Sequence, residues 1–305
     1  MTTFDVACAV EGAAYAAHSA AMLDSLLERN HHDDVRIHYL PGPGIGADDE
    51  RKLAEMVTRR GASIDFVRVE DERLRGLPTE GFTRAATWYR IFLPELLPDV
   101  DRLLYLDADL LVLESVAPLW ELDLRDHYLA AVTNVLEPIY ADRPARLGIE
   151  GENRYFNAGV LLMNLDLMRR ERCTQALEEY AREHAAELMW RDQDALNVVL
   201  GGRRLPLHPR WNCMNAIVLF PQASEVFEPD ELAEARAQPA IRHFEGPAEN
   251  KPWHYLCAQS MRELYFEHRR RTPWPRVRRE GVTARNVLRR AGLARRGPGH
   301  TLADR

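Results

Sequence analysis

The stretch "LLYLDADLLVL" at residues 103–113 sets two acidic side chains, Asp107 and Asp109, in the middle of an apolar run. A carboxylate among apolar neighbours loses its hydration, which is costly unless a positive partner compensates. Residues i and i+2 of a strand point to the same face, so a strand here presents both carboxylates together while Ala108 points away. Two such oxygen ligands suit Mg²⁺ or Mn²⁺. The stretch predicts a metal site that needs a cation from outside the chain; the alternative is a pair of acids hydrogen-bonded to nearby backbone.

The chain on either side of this stretch alternates short apolar runs with longer segments of helical period. Strands are predicted at "FDVACAV", "DVRIHYL", "SIDFVRV", "YLAAVTNV" and "GVLLMNL". Helices are predicted at "AAYAAHSAAMLDSLLERN", "ADDERKLAEMVTRRG", "TRAATWYRIFLPELL" and "DQDALNVVLGG", and from Asp166 as N-cap to about His184. This alternation is typical of an α/β fold with one Rossmann-like sheet.

Composition and charge divide the chain into two unequal parts. Hydrophobic residues make up 46% and charged residues 29% of the 305, as in ordinary globular proteins. The net charge of −7 hides a split: residues 269–305 hold 12 arginines against Glu280 and Asp304, which is +10, and residues 1–268 sum to −17. We expect a domain at 1–268 and a basic tail at 269–305 that either contacts anionic membrane or is partly disordered. Nucleic acid is not expected, because the body is acidic.

The cysteines and the first residues indicate where the protein works. Four cysteines lie far apart without a C-x-x-C pair, so neither a zinc ligand set nor a disulfide framework is indicated. The first twenty-five residues lack a basic n-region, and no apolar run approaches the roughly 18 residues of a membrane span. A cytoplasmic location is expected, with peripheral attachment to the inner face of the membrane as a further hypothesis.

A third metal ligand is expected from elsewhere in the chain, because two carboxylates supply too few. His243 in "IRHFEGP" is the candidate, since it lies where a strand runs into a turn. Taken alone, a histidine in such a place is more often structural.

Four motifs occur in one order: "YLDADLLV", "RYFNAGVLLMNLD", "RDQDALN" and "IRHFEGPAENKPW". Together with "TWYRIFLPELL" upstream, they resemble the family 8 retaining glycosyltransferases, the group of bacterial lipopolysaccharide galactosyltransferases and glycogenin. The resemblance covers about residues 4–260. It implies a GT-A fold with a mixed sheet, a bound Mn²⁺ and a UDP-sugar whose hexose, galactose or glucose, is transferred with retention. Mg²⁺ is the alternative metal.

Carried over residue by residue, the resemblance assigns roles to fourteen positions. It makes Asp107, Asp109 and His243 the metal ligands. It makes Asp192, Gln193 and Asp194 the catalytic group that holds the sugar. The remaining donor contacts are Ala9, Glu11, Tyr15, Arg90, Ala108, Asn157, Gly246 and Lys251. Only Lys52 and Lys251 are lysines, against 38 arginines.

The mechanism implied by retention has two forms, a covalent intermediate or a front-face path. Gln193 is uncharged and a poor nucleophile, which favours the front-face path. Taken alone, Asp192 reads as a helix cap and Asn157 as a turn residue before a strand.

Two departures from the family pattern affect donor binding. The chain reads "AVEGAAY" where the family has an acid and an asparagine for the uridine. Glu11 is the candidate to replace the usual Asp at altered spacing, and this departure puts selectivity for uracil in question. Four residues separate Gly246 from Lys251, more than the family pattern has, which puts the reach of Lys251 in question. A second hypothesis follows, a nucleotide-sugar-binding scaffold protein without turnover. The acceptor, a saccharide, a lipid-linked sugar or another hydroxyl compound, has no readable motif, and neither does the oligomeric state.

Overall fold

The computed structural model describes residues 2–79, 85–151, 154–276 and 279–292. Its strands are β1 (Thr3–Val10), β2 (Asp34–Pro41), β3 (Ser63–Phe66), β4 (Arg102–Leu106), β5 (Leu110–Val112), β6 (Leu129–Ala131), β7 (Val160–Asn164), β8 (Arg204–Pro206) and β9 (Ile241–His243). Seven of them form one sheet in the order β3-β2-β1-β4-β7-β6-β8, and β5 pairs with β9 in a second, two-stranded sheet.

The large sheet is mixed. β3, β2, β1 and β4 run parallel, and β7 lies antiparallel between β4 and β6. β8 pairs with β6 in parallel. A parallel half built from βα units with an antiparallel strand inserted beside it is the mixed α/β architecture that the sequence predicts.

Helices cover both faces of the sheet, as a largely parallel sheet requires. The α-helices are α1 (Ala13–Arg29), α2 (Ala47–Arg59), α3 (Leu93–Leu96), α4 (Ala117–Trp120), α5 (Arg143–Arg146), α6 (Leu165–Arg170), α7 (Cys173–Glu183), α8 (Arg191–Leu200), α9 (Asn215–Leu219), α10 (Ala223–Val226), α11 (Pro229–Ala237), α12 (Arg262–Arg270) and α13 (Ala284–Arg290). Short 3₁₀ helices lie at Asp71–Leu74, Ala85–Phe92, Pro138–Tyr140, Gly201–Arg203, Pro209–Asn212 and Ala248–Asn250.

The core lies in two layers, one on each side of the sheet. In β4, Leu104 and Leu106 point into the layer under α1 and α2, whereas Leu103 and Tyr105 point into the opposite layer. β7 alternates in the same way. Successive side chains of a strand face opposite sides of the sheet, and both sides are covered here. Residues 103–106 of β4 and 160–163 of β7 are therefore all apolar.

The acidic stretch differs from the single strand expected of it. β4 ends at Leu106 and β5 begins at Leu110, so Asp107, Ala108 and Asp109 form a turn between two strands of different sheets. The i and i+2 argument is therefore wrong for this pair. Asp107 and Asp109 nevertheless line one cavity. The start of the turn is fixed by the Asp107 N–H, which donates to the Gly159 carbonyl (2.9 Å).

The long helix predicted from Asp166 is two helices. Its N-cap is Asn164, whose side chain accepts a hydrogen bond from the Leu167 N–H, so the prediction of Asp166 as cap is wrong. The chain then breaks at Arg172, which has a left-handed backbone (φ 56°), before α7 begins. The predicted helix at residues 83–97 is mainly 3₁₀ from Ala85, and residues 83 and 84 lie outside the described part of the chain.

The C-terminal region packs on the domain where it is described. The boundary predicted at residue 268 falls inside α12, whose His268 is buried and lies 2.9 Å from a carboxylate oxygen of Asp24 in α1. Further on, Glu280 pairs with the backbone of Trp253 and Tyr255. In α13, Arg289 forms an ion pair with Glu249 (2.7 Å).

The core prediction concerns Leu104, which is fully buried at the centre of the sheet. Leu104→Ala should lower the free energy of unfolding by about 2–5 kcal/mol, because it removes buried methyl groups and leaves a cavity. Leu288→Ala is the control, since Leu288 is 46% exposed in α13 and its loss should change stability by less than about 0.5 kcal/mol. Equal shifts in urea unfolding for the two variants would contradict this assignment of the core.

Candidate active site

A cavity of about 890 Å³ opens beside the carboxyl ends of β1 and β4. All the predicted site residues except Asp194 line it: Ala9, Glu11, Tyr15, Arg90, Asp107, Ala108, Asp109, Asn157, Asp192, Gln193, His243, Gly246 and Lys251. Ligands of open α/β sheets bind at this end of the strands. Residues that are distant in sequence therefore meet where such a sheet places a ligand.

Asp107, Asp109 and His243 form the cluster in this cavity that can hold a metal ion. One ligand atom from each lies within 4.8 Å of the others. The pairing of Leu110 with His243 between β5 and β9 produces this arrangement, because it sets the histidine beside the turn that carries the carboxylates. His243 Nε2 lies 3.2 Å from Asp109 Oδ1 and 3.9 Å from Asp107 Oδ2.

Gly159 shows that this cluster is closely enclosed. A Cβ atom placed on Gly159 would lie 2.3 Å from His243 Cε1 and 2.9 Å from Asp107 Oδ2. Only glycine leaves the imidazole and the carboxylate in these positions. Two carboxylates with one imidazole are a ligand set that suits Mn²⁺, and Mg²⁺ when water completes the shell. The residues present therefore fit a divalent cation.

The acidic pair was expected to need a cation from outside the chain, but Lys251 already balances part of its charge. Its ammonium group donates to Asp109 Oδ2 and to the Phe244 carbonyl (2.9 Å). Burial by itself would raise the pKa of Asp109, but Lys251 and His243 outweigh it and hold that pKa well below its usual range. The longer spacing after Gly246 thus does not prevent Lys251 from reaching the site.

Arg90 balances the other carboxylate. Its Nη2 lies 3.2 Å from Asp107 Oδ1 and its Nε lies 3.0 Å from Asp192 Oδ2. Burial lowers the pKa of Arg90, but the two carboxylates outweigh it, so the pKa is raised and the guanidinium stays charged. The group also lies over the Tyr105 ring, 4.4 Å from its centroid. Arg90 therefore connects the metal cluster with the "DQD" motif.

Asp192 and Gln193 lie in the first turn of α8 and line the same cavity as Lys251. Burial raises the pKa of Asp192 to about 6, against the opposing effect of Arg90. Asp192 Oδ2 is buried and accepts no hydrogen bond, since its contact with Arg90 is an ion pair only. Gln193 Oε1 accepts from the Asn157 side chain (3.2 Å) and from the Ala158 N–H (3.0 Å). These residues present polar groups to a ligand in the cavity.

Asp194 does not join them. It is fully buried and forms an ion pair with Arg143 (2.5 Å). Its carboxylate also accepts from the Tyr155 hydroxyl (2.6 Å) and the Trp190 N–H (2.7 Å). The third member of "DQD" thus holds the start of α8 in place and makes no contact with the cavity.

The opposite end of the cavity is formed by the turn after β1. The Ala86 N–H donates to Glu11 Oε2 (3.1 Å), and the Tyr15 ring packs edge-on against Trp253. Gly246 has φ 88°, a left-handed backbone that favours glycine. Glu11, Tyr15 and Gly246 line the cavity, and their contacts with a ligand stay predictions.

Several residues of the cavity were missed in the sequence. Tyr140 and Trp190 form an edge-on aromatic pair, 5.4 Å between centroids, at the mouth near Glu137. Burial raises the pKa of Glu137. No sequence pattern marked these three side chains. Asn212 was missed as well: it lies outside the cavity lining and contacts His243, and one asparagine before a cysteine carries no local signal.

None of the helices in the described ranges has the length and apolar character needed to cross a membrane.

Comparisons with known proteins agree with this geometry. The family described as "Glycosyl transferase family 8" matches residues 9–257. General stress protein A of Bacillus subtilis is 31% identical over 275 residues, which cover 88% of this chain and 93% of that protein. The lipopolysaccharide 1,3-galactosyltransferase of Salmonella typhimurium is 26% identical over 75% of this chain and 67% of its own.

A solved structure shows the same fold. The crystal structure of galactosyltransferase LgtC in complex with donor and acceptor sugar analogues has a TM-score of 0.79 and 28% identity to this chain. The match covers 94% of this chain and 99% of that one. The resemblance and the GT-A fold expected from the four motifs are confirmed. The chain belongs to glycosyl transferase family 8 and is a glycosyltransferase of the GT-A fold.

Proposed function

We propose that this enzyme moves a hexose, galactose or glucose, from a UDP-sugar to a hydroxyl acceptor, with a divalent cation, Mn²⁺ by preference, and with retention. The observation that carries the proposal is the single cavity in which the Asp107, Asp109 and His243 cluster lies between Lys251 and the Asp192–Gln193 pair. A cation held by the cluster would neutralise the charge that develops on the departing diphosphate.

The basic and backbone groups around the cluster suit the diphosphate. The Lys251 ammonium and the loop at Gly246 lie beside Asp109, at the same wall of the cavity. When a diphosphate binds, Lys251 can exchange its contact with Asp109 for a phosphate oxygen, since an ammonium is a compact and rotatable donor. The nucleoside would then be bound by the remaining donor-contact residues, Ala9, Glu11, Tyr15 and Ala108.

The sugar is proposed to bind between Asn157, Asp192 and Gln193. Asp192 Oδ2 is a buried acceptor without a hydrogen bond, so a sugar hydroxyl that donates to it would satisfy both groups. Asp194 is bound to Arg143 and cannot attack the sugar, which supports a front-face path over a covalent intermediate on that residue. Arg90 holds Asp192 in position and opposes the rise in its pKa that burial causes.

The acceptor is proposed to be a saccharide. Lipopolysaccharide 1,3-galactosyltransferase and lipopolysaccharide 1,2-glucosyltransferases occur among the relatives, which supports a glycan or lipid-linked acceptor. Tyr140 and Trp190 form an aromatic pair that lines the cavity, and the half-buried Trp190 ring offers a surface on which a sugar ring could pack.

Release of UDP from a panel of UDP-sugars, with Mn²⁺ and with oligosaccharide acceptors, tests the proposal. Turnover of UDP-galactose or UDP-glucose is expected, and because both donors are α-linked, retention should give an α-linked product by NMR. Metal-dependent UDP binding without transfer or hydrolysis would favour the scaffold protein instead. Absence of both would contradict the proposal.

Asp109 provides the sharpest test of the metal cluster. Asp109→Ala should abolish metal-dependent UDP binding, measured by calorimetry with and without Mn²⁺, because it removes a ligand and the partner of Lys251. Asp126→Ala is the control: it removes an exposed acid of the same charge and should leave metal-dependent UDP binding unchanged. Normal turnover by a folded Asp109→Ala enzyme would show that the metal assignment is wrong.

Lys251 can be tested against the one other lysine. Lys251→Ala should weaken UDP binding by about tenfold or more, since a buried charge-assisted hydrogen bond contributes about 1.5–3 kcal/mol. It should also strengthen Mn²⁺ binding in the absence of UDP, because Asp109 loses a competing cation. Lys52→Ala, on the surface of α2, should change neither. If Lys251→Ala instead weakened both Mn²⁺ and UDP binding, Lys251 would not exchange its contact with Asp109 for a phosphate oxygen.

We also propose cytoplasmic placement with peripheral contact to an anionic membrane surface. In α13 and the turn before it, Val282, Val287 and Leu288 are exposed beside arginines such as Arg285. An arginine near an anionic surface contributes about 1 kcal/mol, and apolar groups add to it.

The double variant Val287→Ser/Leu288→Ser tests this contact without the damage that a cut at residue 268 would do to α12. It should sediment with vesicles of anionic lipid several-fold less than the original chain. Ile139→Ser loses an apolar side chain that is 59% exposed elsewhere and should sediment normally. Equal sedimentation of all three proteins would exclude α13 as the contact.

A further inference from the structure

Asn212 is a buried side chain that joins the metal cluster to the sugar side of the cavity. It is fully buried at the end of the 3₁₀ helix Pro209–Asn212. The chain just after it pairs with β9: the Cys213 N–H donates to the Ile241 carbonyl (2.9 Å), and the His243 N–H donates to the Cys213 carbonyl (3.0 Å). This pairing sets the Asn212 amide beside the His243 ring.

The orientation of the Asn212 amide follows from its neighbours. The backbone N–H of Gly159 donates to Asn157 Oδ1 (3.0 Å), so that atom is the carbonyl oxygen of Asn157. The Asn212 atom 2.8 Å from it must donate and is therefore Nδ2. The other amide atom of Asn212, its carbonyl oxygen, then faces His243 Nδ1 at 2.9 Å.

This orientation decides which nitrogen of His243 is free to bind metal. A carbonyl oxygen only accepts, so His243 Nδ1 carries the proton in this contact. In a neutral imidazole Nε2 then has the lone pair, and Nε2 is the atom that faces Asp107 and Asp109. Partners of this kind fix the tautomer and ring orientation of histidines that bind metals.

The hydrogen bonds continue in one direction beyond Asn212. Asn157 Nδ2 donates to Gln193 Oε1 (3.2 Å), whose carbonyl identity is set by the Ala158 N–H (3.0 Å). Gln193 Nε2 donates to the Tyr155 hydroxyl (3.3 Å), which donates to Asp194 (2.6 Å). Each group donates toward Asp194, whose charge Arg143 balances. Reversing one amide would leave two donors or two acceptors facing each other.

We propose that Asn212 is a positioning residue, which holds His243 as the Nδ1–H tautomer for metal binding and, through Asn157, couples the metal cluster to the sugar side. Its role toward the metal depends only on the contacts with His243 and Asn157. Its role toward the sugar rests on the proposed function, in which Asn157 and Gln193 contact the donor sugar.

Mn²⁺ binding without nucleotide tests the first role, measured by paramagnetic resonance at one pH for all variants. Asn212→Leu keeps the volume but removes the acceptor, and it should weaken Mn²⁺ binding by about tenfold or more. Asn212→Asp supplies an oxygen that accepts from Nδ1–H and should restore binding to within about threefold of the original chain.

Asn215→Leu is the matched control. Asn215 is also buried in this segment, but its side chain bonds to Arg242 and the Glu245 carbonyl and not to His243. It should bind Mn²⁺ within about threefold of the original chain. An equal loss in Asn212→Leu and Asn215→Leu, or normal binding by Asn212→Leu, overturns the proposal. Should Asn212→Leu not fold, weak Mn²⁺ binding by Asn212→Asp overturns it.

Donor binding by Asn212→Asp tests the second role. This variant lacks the Nδ2 donor to Asn157, so it should bind UDP normally and lose the additional affinity for the UDP-sugar over UDP. Unchanged preference for the UDP-sugar overturns the coupling to the sugar side. If the original chain binds no UDP-sugar, the proposed function fails while the Mn²⁺ comparison still decides the role of Asn212 toward His243.

Discussion

Two carboxylates at the junction of two sheets must be matched by positive charge, and the rest of the site is arranged around this requirement. Arg90 faces Asp107 and Lys251 faces Asp109, so each acid has a cation from the chain itself. Because burial of an unpaired carboxylate is costly, these contacts allow the domain to close around the pair before any ligand binds. In the proposed function, a divalent cation and a diphosphate would exchange partners with these charged groups.

The turn that carries the two acids depends on both sheets. β4 brings the chain to the end of the large sheet, and β5 leaves it to pair with β9. This change of sheet places His243 beside the turn, and the antiparallel β7 places Gly159 on its other side. One cluster therefore draws on four strands, which makes its geometry a property of the whole domain.

The order of motifs predicted the family and the sheet type, and all but one of the site residues that it assigned line the cavity. The predicted role of a residue was wrong where its residue type suits both a ligand site and a structural contact, or where a neighbour can take the same role. Asp194 reads as a partner of Asp192 because the two lie in one motif, yet successive positions at a helix start point in different directions, and Asp194 turns inward to Arg143. Asp166 reads as a helix cap, but Asn164 lies at the strand end and takes that role.

The sequence by itself determined the alternating elements, the acidic pair within an apolar run and the three residues of the candidate metal cluster, because these depend on local spacing and on recurring motifs. Tertiary structure decided the partners: Lys251 for Asp109, Arg90 for Asp107 and Asp192, and Asn212 for His243. The physical reason is that a hydrogen bond or ion pair requires contact within a few ångströms. Residues far apart in sequence gain that contact only when the two sheets and their connections pack together.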